Sequence, residues 1–84
     1  MNTEKRKQVL SRLARIEGQI RGISKLINAD DIDCEKVAQQ MSAARKALDK
    51  ASHTVLACML EKEMSESDDA VHAGRMVELI AKYA

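Results

Sequence analysis

The 84-residue sequence contains no Pro, Trp or Phe, a single Tyr and three Gly. β-Sandwiches and barrels normally need aromatic and β-branched residues and turns rich in Gly or Pro, so an all-β fold is excluded and an α/β fold is disfavoured. The chain also lacks a long uninterrupted apolar run, which excludes a transmembrane helix and a secretory h-region. We therefore expect one aliphatic, cytoplasmic domain over residues 1–84, with both Cys present as thiols.

Motifs for catalysis are missing as well. The sequence has no CxxC, no HxxxH, no phosphate-cradling Gly loop and no nucleophile elbow. His53 lies opposite the apolar stripe of its helix, and His72 has no Cys or His at ligand spacing, so we do not expect either to bind a metal. Without a general acid and base in a recognisable arrangement, the chain is predicted not to be an enzyme.

Apolar residues recur every three or four positions along most of the chain, which is typical of amphipathic helices. The first apolar stripe consists of Val9, Leu13, Ile16, Ile20, Ile23 and Ile27, and the second of Cys34, Val37, Met41, Ala44, Leu48, Ala51, Val55 and Cys58. Three helices are predicted, over about Thr3–Asn28, Cys34–Met64 and Ala70–Tyr83. Potential capping residues occupy the first break, at 29–33, and residues 65–69 end the second helix. The apolar face of the third helix is expected to consist of Val71, Val77 and Ile80.

The lengths of these helices predict an oligomer. A helix of roughly 30 residues is about 45 Å long, whereas a compact monomer of this size has a radius of gyration of about 12 Å. The third helix is too short to cover what the first two expose, and the second is rich in Ala, which permits close helix packing. We expect an obligate oligomer in which the second helix is buried against another copy of the chain.

Charge is distributed unevenly, with residues 1–28 carrying seven basic and two acidic side chains, whereas the rest of the chain is net acidic. Basic residues at helical spacing can neutralise DNA phosphates, although a solvated helix face explains the same pattern. The first helix has a polar stripe made of Lys5, Gln8, Arg12, Arg15 and Gln19. We predict phosphate contacts by Arg12, Arg15, Lys46 and Lys50.

Cys34 opens the second helix, where the partial positive charge of the helix terminus favours a thiolate and the neighbouring acidic residues oppose it. Cys58 follows 24 residues later, about 36 Å along a helix, so the two thiols cannot meet within one helix. A site that uses both must therefore span two subunits of an antiparallel pair. The alternative for each Cys is a small buried core residue.

The segment RLARIEGQIRGI (12–23), followed by Cys34 and then by QMSAARKAL (40–48), resembles the copper-, nickel–cobalt- and formaldehyde-sensing repressors of the CsoR/RcnR/FrmR family. The resemblance covers nearly the whole chain. It implies an all-helical protein whose antiparallel dimer forms a four-helix bundle. It also implies that two such dimers pair into a tetramer, a dimer of dimers, that binds operator DNA without a helix-turn-helix. It also implies that an inducer acting at the Cys weakens DNA binding.

The sensing positions depart from those of the copper sensors, which have a His and a Cys where this chain has Met59 and Glu63. A thioether and a carboxylate match Cu(I) poorly. The persulfide-sensing branch has a later Cys, for which Cys58 is an imperfect replacement, five residues earlier. The formaldehyde-sensing branch joins its Cys to the N-terminal amine, and the primary amine of Met1 falls in that register.

We interpret the sequence as a cytoplasmic, homotetrameric repressor that binds double-stranded operator DNA and no membrane. Its effector, an electrophile such as formaldehyde, a reactive sulfur species or a transition metal, is expected at an inter-subunit site centred on Cys34, with Cys58 and Met1 as partners in thiol chemistry. A transition metal ion held by Cys34, Met59 and Glu63 is the one candidate cofactor, and we favour thiol chemistry over it. The alternative is a helical metal-binding or assembly protein without a DNA function.

Overall fold

The computed structural model describes residues 1–66 and 70–84, which form three α-helices and no strand. The helices are α1 (Thr3–Ile27), α2 (Cys34–Glu66) and α3 (Ala70–Tyr83). The all-α, three-helix prediction is confirmed, and the predicted helix ends agree within two residues. Part of the predicted stop at 65–69 lies outside the described residues. No helix in the described part of the chain is long and apolar enough to cross a membrane.

Side-chain caps explain where the first two helices begin. The Asn2 side chain accepts a hydrogen bond from the Lys5 backbone N–H at 2.8 Å, so α1 begins at Thr3. The Asp33 side chain accepts from the Lys36 backbone N–H at 3.1 Å, which makes Cys34 the first residue of α2. Both are standard N-cap arrangements that satisfy a backbone donor left open by the helix.

The chain divides into two compact units, and the first unit is Asn2–Ala51. It contains α1 and the N-terminal part of α2. Its buried apolar residues are Ile16, Ile23, Ala44 and Ala51. Val9 and Val37 of the predicted stripes are half-buried. The members that remain exposed are Leu13, Ile20, Ile27, Cys34, Met41 and Leu48. The first unit therefore covers every second position of each stripe, fully or in part, and leaves the positions between them open to solvent.

The second unit consists of Met1 and Ser52–Ala84, which includes the C-terminal part of α2 and all of α3. Leu79 is buried and Met76 is half-buried, whereas Val77 and Ile80 are 67% and 45% exposed. Val77 and Ile80 of the predicted apolar face therefore do not pack inward within the protomer, and the side chain of Val71 lies outside the described residues. The apolar residues 76, 77, 79 and 80 occupy two adjoining faces, and the face with the longer Met and Leu side chains packs inward.

Candidate functional site

Cys34 is exposed at the N-terminus of α2, directly after the Asp33 cap. A polar depression of about 380 Å³ lies beside it, lined by Asp33, Glu35, Lys36, Gln39 and Gln40. Within the protomer Cys34 is therefore not a buried core residue. Its thiol is accessible to small reagents from solvent, which is the first requirement for a reactive cysteine.

The other predicted sensing residues belong to the second unit. Cys58 is half-buried, Met59 is half-buried, and Met1 is largely exposed. Both cysteines are free thiols. Because Cys34 belongs to the first unit, its grouping with Met1, Cys58, Met59 and Glu63 stays a prediction.

Met59 and Glu63 line a groove of about 250 Å³ between α2 and α3. Lys62, Arg75, Leu79 and Tyr83 complete its walls. Glu63 already has a hydrogen-bond partner, because its Oε2 lies 2.8 Å from Nδ1 of His72. The two side chains are only 19% and 27% exposed, so this contact is partly shielded from water. Glu63, one of the predicted metal ligands, is therefore hydrogen-bonded to a histidine of its own protomer.

Glu66 completes a cluster with these two residues. One ligand atom from each of Glu63, Glu66 and His72 lies within 4.8 Å of the others. We call this set the carboxylate–histidine cluster. The two glutamates are three residues apart near the end of α2, so they share one helix face, and His72 lies in the first turn of α3.

Sequence reasoning missed His72 because it searched for Cys or His at ligand spacing, and the neighbours of His72 are carboxylates. The signal available was a Glu-x-x-Glu pair ending one helix, followed by a His in the first turn of the next. Two carboxylate oxygens and one imidazole nitrogen suit divalent ions such as Zn²⁺, Ni²⁺ or Co²⁺ better than Cu(I), which prefers thiolate.

The predicted DNA-contacting residues differ in exposure. Arg15, Lys46 and Lys50 are exposed, whereas Arg12 is half-buried. Gln19, seven residues after Arg12, is also half-buried, and its Oε1 has no hydrogen-bond partner among the described residues. The predicted polar stripe of α1 is therefore not one solvated face, because two of its members are partly covered within the protomer.

The comparison with family models gave one match over the three helices. A family described as metal-sensitive transcriptional repressor matches residues 5–83. No curated protein and no solved structure matches the chain. The matched range covers all but five residues of the sequence and includes both cysteines and the carboxylate–histidine cluster.

Proposed function

Because the chain belongs to the metal-sensitive transcriptional repressor family, we propose that it binds operator DNA as a homotetramer and releases it when an effector acts at Cys34. The family consists of repressors, so the activity is control of transcription through a DNA partner and not catalysis. We further propose that the effector site is shared between subunits and that the protein acts in the cytoplasm.

The exposed position of Cys34 is the single observation that carries the proposed sensing site. A thiol at the first residue of a helix, open to solvent and beside a polar depression, has the access that thiol chemistry requires. With formaldehyde, the Cys34 thiol and the Met1 amine condense to an S–CH₂–N bridge and release one water. With a polysulfide as oxidant, the thiols of Cys34 and of Cys58 from a facing subunit are oxidised to a disulfide while the polysulfide is reduced.

A metal ion held by Cys34, Met59 and Glu63 has less support. Glu63 is hydrogen-bonded to His72, so its recruitment to a site on another subunit requires that contact to break. A soft ion would then have one thiolate and one thioether, which is a weak donor set for Cu(I). Thiol chemistry at Cys34 needs no such rearrangement of Glu63.

Assembly is supported by the exposed stripe positions. Leu13, Ile20 and Ile27 of α1 are spaced by seven residues, as are Met41, Leu48 and Val55 of α2, and all six are largely exposed in the protomer. Regularly spaced exposed apolar side chains on two helices mark a protein–protein contact surface. We propose that a second copy covers them in an antiparallel four-helix bundle, and that two such dimers form the tetramer.

DNA contact is assigned to basic side chains of both long helices. Arg15, Lys46 and Lys50 are exposed, and Arg12 is half-buried, so its contribution combines packing with charge. Long cationic side chains bind phosphates and position the protein without reading bases. Operator affinity should therefore fall steeply as the salt concentration rises.

The experiment that tests the proposed site measures release of a fluorescent promoter fragment by fluorescence anisotropy. The fragment is first selected by pull-down from promoters of the same genome. Formaldehyde, polysulfide, Cu(I) and Ni²⁺ are then added in turn to wild type, Cys34→Ser and Cys58→Ser. We expect Cys34→Ser to stay bound and ignore the effector, and Cys58→Ser to be impaired only toward polysulfide. Release of Cys34→Ser at the wild-type effector concentration contradicts a Cys34 sensor, and failure to retain any fragment favours a metal-binding protein without a DNA function.

A further inference from the structure

We propose that Glu63, Glu66 and His72 form a binding site for a divalent transition-metal ion within a single protomer. This carboxylate–histidine cluster lies wholly within the second unit and does not include Cys34. The inference goes beyond the proposed function, because it depends on neither the Cys34 chemistry nor DNA binding. In this site the partners of Glu63 are Glu66 and His72, whereas the sequence predicted Cys34 and Met59.

The geometry of the cluster is close to that of a metal site. Ligand bonds of about 2.0–2.2 Å, as for Zn²⁺ with nitrogen and oxygen donors, place neighbouring ligand atoms about 3–4 Å apart. In the protomer the ligand atoms of all three residues already lie within 4.8 Å of one another, and Glu63 and His72 are in hydrogen-bond contact. A bound ion would replace the hydrogen bond between Glu63 and His72 and keep both residues in place, whereas a site at Cys34 would separate them.

The end of α2 favours a cation at the cluster, and it opposes the effect of Lys62 and Arg75, which line the adjoining groove. The C-terminal end of a helix carries a partial negative charge, and basic residues in its last turn normally offset it. The last turn of α2 has no basic residue, and both glutamates of the cluster lie near that end. Two carboxylates beside a negative helix terminus repel one another, and a bound dication removes that repulsion.

The degree of burial predicts an accessible site. Glu63 and His72 are half-buried, whereas Glu66 is exposed and opens the cluster to solvent. Three protein ligands leave at least one coordination position for water, as in exchangeable zinc sites, whereas closed structural sites use four protein ligands. The donor set selects a borderline divalent ion such as Zn²⁺, Ni²⁺ or Co²⁺ over Cu(I).

The test uses the full-length protein without DNA, after treatment with a chelator. Zn²⁺ is titrated against a competing fluorescent chelator, and Co²⁺ absorption reports the donor atoms. The background protein carries Cys34→Ser and Cys58→Ser, so that no thiol can contribute. We expect this thiol-free protein to bind one Zn²⁺ per protomer and its Co²⁺ spectrum to lack a thiolate charge-transfer band.

The variants are then made on this thiol-free background. His72→Ala and Glu66→Gln should each weaken Zn²⁺ binding about tenfold or more, since removing even a residue that only hydrogen-bonds to a metal ligand has an effect in that range. His53→Ala is the matched control, because His53 is exposed and outside the cluster, and it should bind like the background protein. Glu66 is exposed, so Glu66→Gln keeps the fold if His72→Ala disturbs it. The proposal is overturned if the thiol-free protein binds no Zn²⁺, or if Glu66→Gln binds it as tightly as the background protein does.

Discussion

Leu48 lies in the middle of the exposed stripe of α2, and its replacement is the sharpest test of the assembly. Its side chain is 50% exposed in the protomer, and Met41 and Val55 lie seven residues to either side. Ala at this position keeps a strong helix former and removes only apolar surface. Leu48→Ala therefore separates the contribution to assembly from that to helix formation.

The magnitude follows from the exposed half of the side chain. Full burial of a Leu is worth about 1.5–3 kcal/mol, so covering the remaining half contributes about 1 kcal/mol per copy. A two-fold interface uses the residue twice, which gives about 2 kcal/mol per dimer, or about a 30-fold weaker dimer for Leu48→Ala. Leu48→Asp places an unpaired charge at the same contact, which costs several kcal/mol more and should abolish assembly.

Sedimentation velocity over a range of micromolar concentrations measures the effect. Wild type should sediment as a tetramer, or at least as a dimer, and Leu48→Asp as a monomer or an unfolded chain. Leu10→Ala is the matched control, because Leu10 is 59% exposed and lies outside the stripe. The reasoning is refuted if wild type is a folded monomer, or if Leu48→Asp keeps the wild-type oligomeric state.

Two further predictions concern polar residues of α1. Arg15→Ala should weaken binding to operator and to unrelated DNA alike, and should reduce the log–log salt slope by about 0.9 for each phosphate that Arg15 neutralises. Arg12→Ala, at a half-buried position, should weaken DNA binding and also lower the urea midpoint. Unchanged affinity of both variants in anisotropy titrations at moderate salt would mean that neither side chain contacts a phosphate. Gln19→Met replaces the buried Oε1, which has no hydrogen-bond partner within residues 1–66 and 70–84, with apolar atoms of similar length. It should raise the free energy of unfolding by about 1 kcal/mol in urea denaturation. A loss of stability would mean that the amide has a partner in the assembled protein.

The helices were predictable because their signals are local. The apolar period defined three segments, and Asp33, one of several possible caps in the first break, ends the loop by accepting from the Lys36 N–H. The apolar stripes also contain residues that are not buried within the protomer. Ile16 and Ile23 are buried within the protomer, whereas Leu13 and Ile20 are not. Sequence period alone does not distinguish an intramolecular contact from an intermolecular one.

The inward face of α3 and the contact of His72 could not be predicted, because they depend on how α3 is rotated against α2. On α3 the apolar residues Met76, Val77, Leu79 and Ile80 span two neighbouring faces, and only the packing on α2 decides between them. The same rotation places His72, four residues before Met76, on the inward side, where it meets Glu63. One cause, the rotation of α3 against α2, therefore explains why Val77 and Ile80 do not pack inward in the protomer. It also explains why the contact of His72 with Glu63 was not predicted.

Donor chemistry separates the two candidate sites more clearly than their positions along the chain do. Cys34 offers a soft, accessible thiol suited to electrophiles, sulfur species and soft ions, whereas Glu63, Glu66 and His72 offer oxygen and nitrogen donors suited to borderline divalent ions. An ion that prefers nitrogen and oxygen gains little at Cys34, and formaldehyde or polysulfide finds no thiol in the cluster. Glu63 is the one residue that both metal schemes share, and its 2.8 Å contact with His72 assigns it to the cluster in the protomer. This contact supports the proposal that Cys34 acts through chemistry that needs a thiol and no carboxylate.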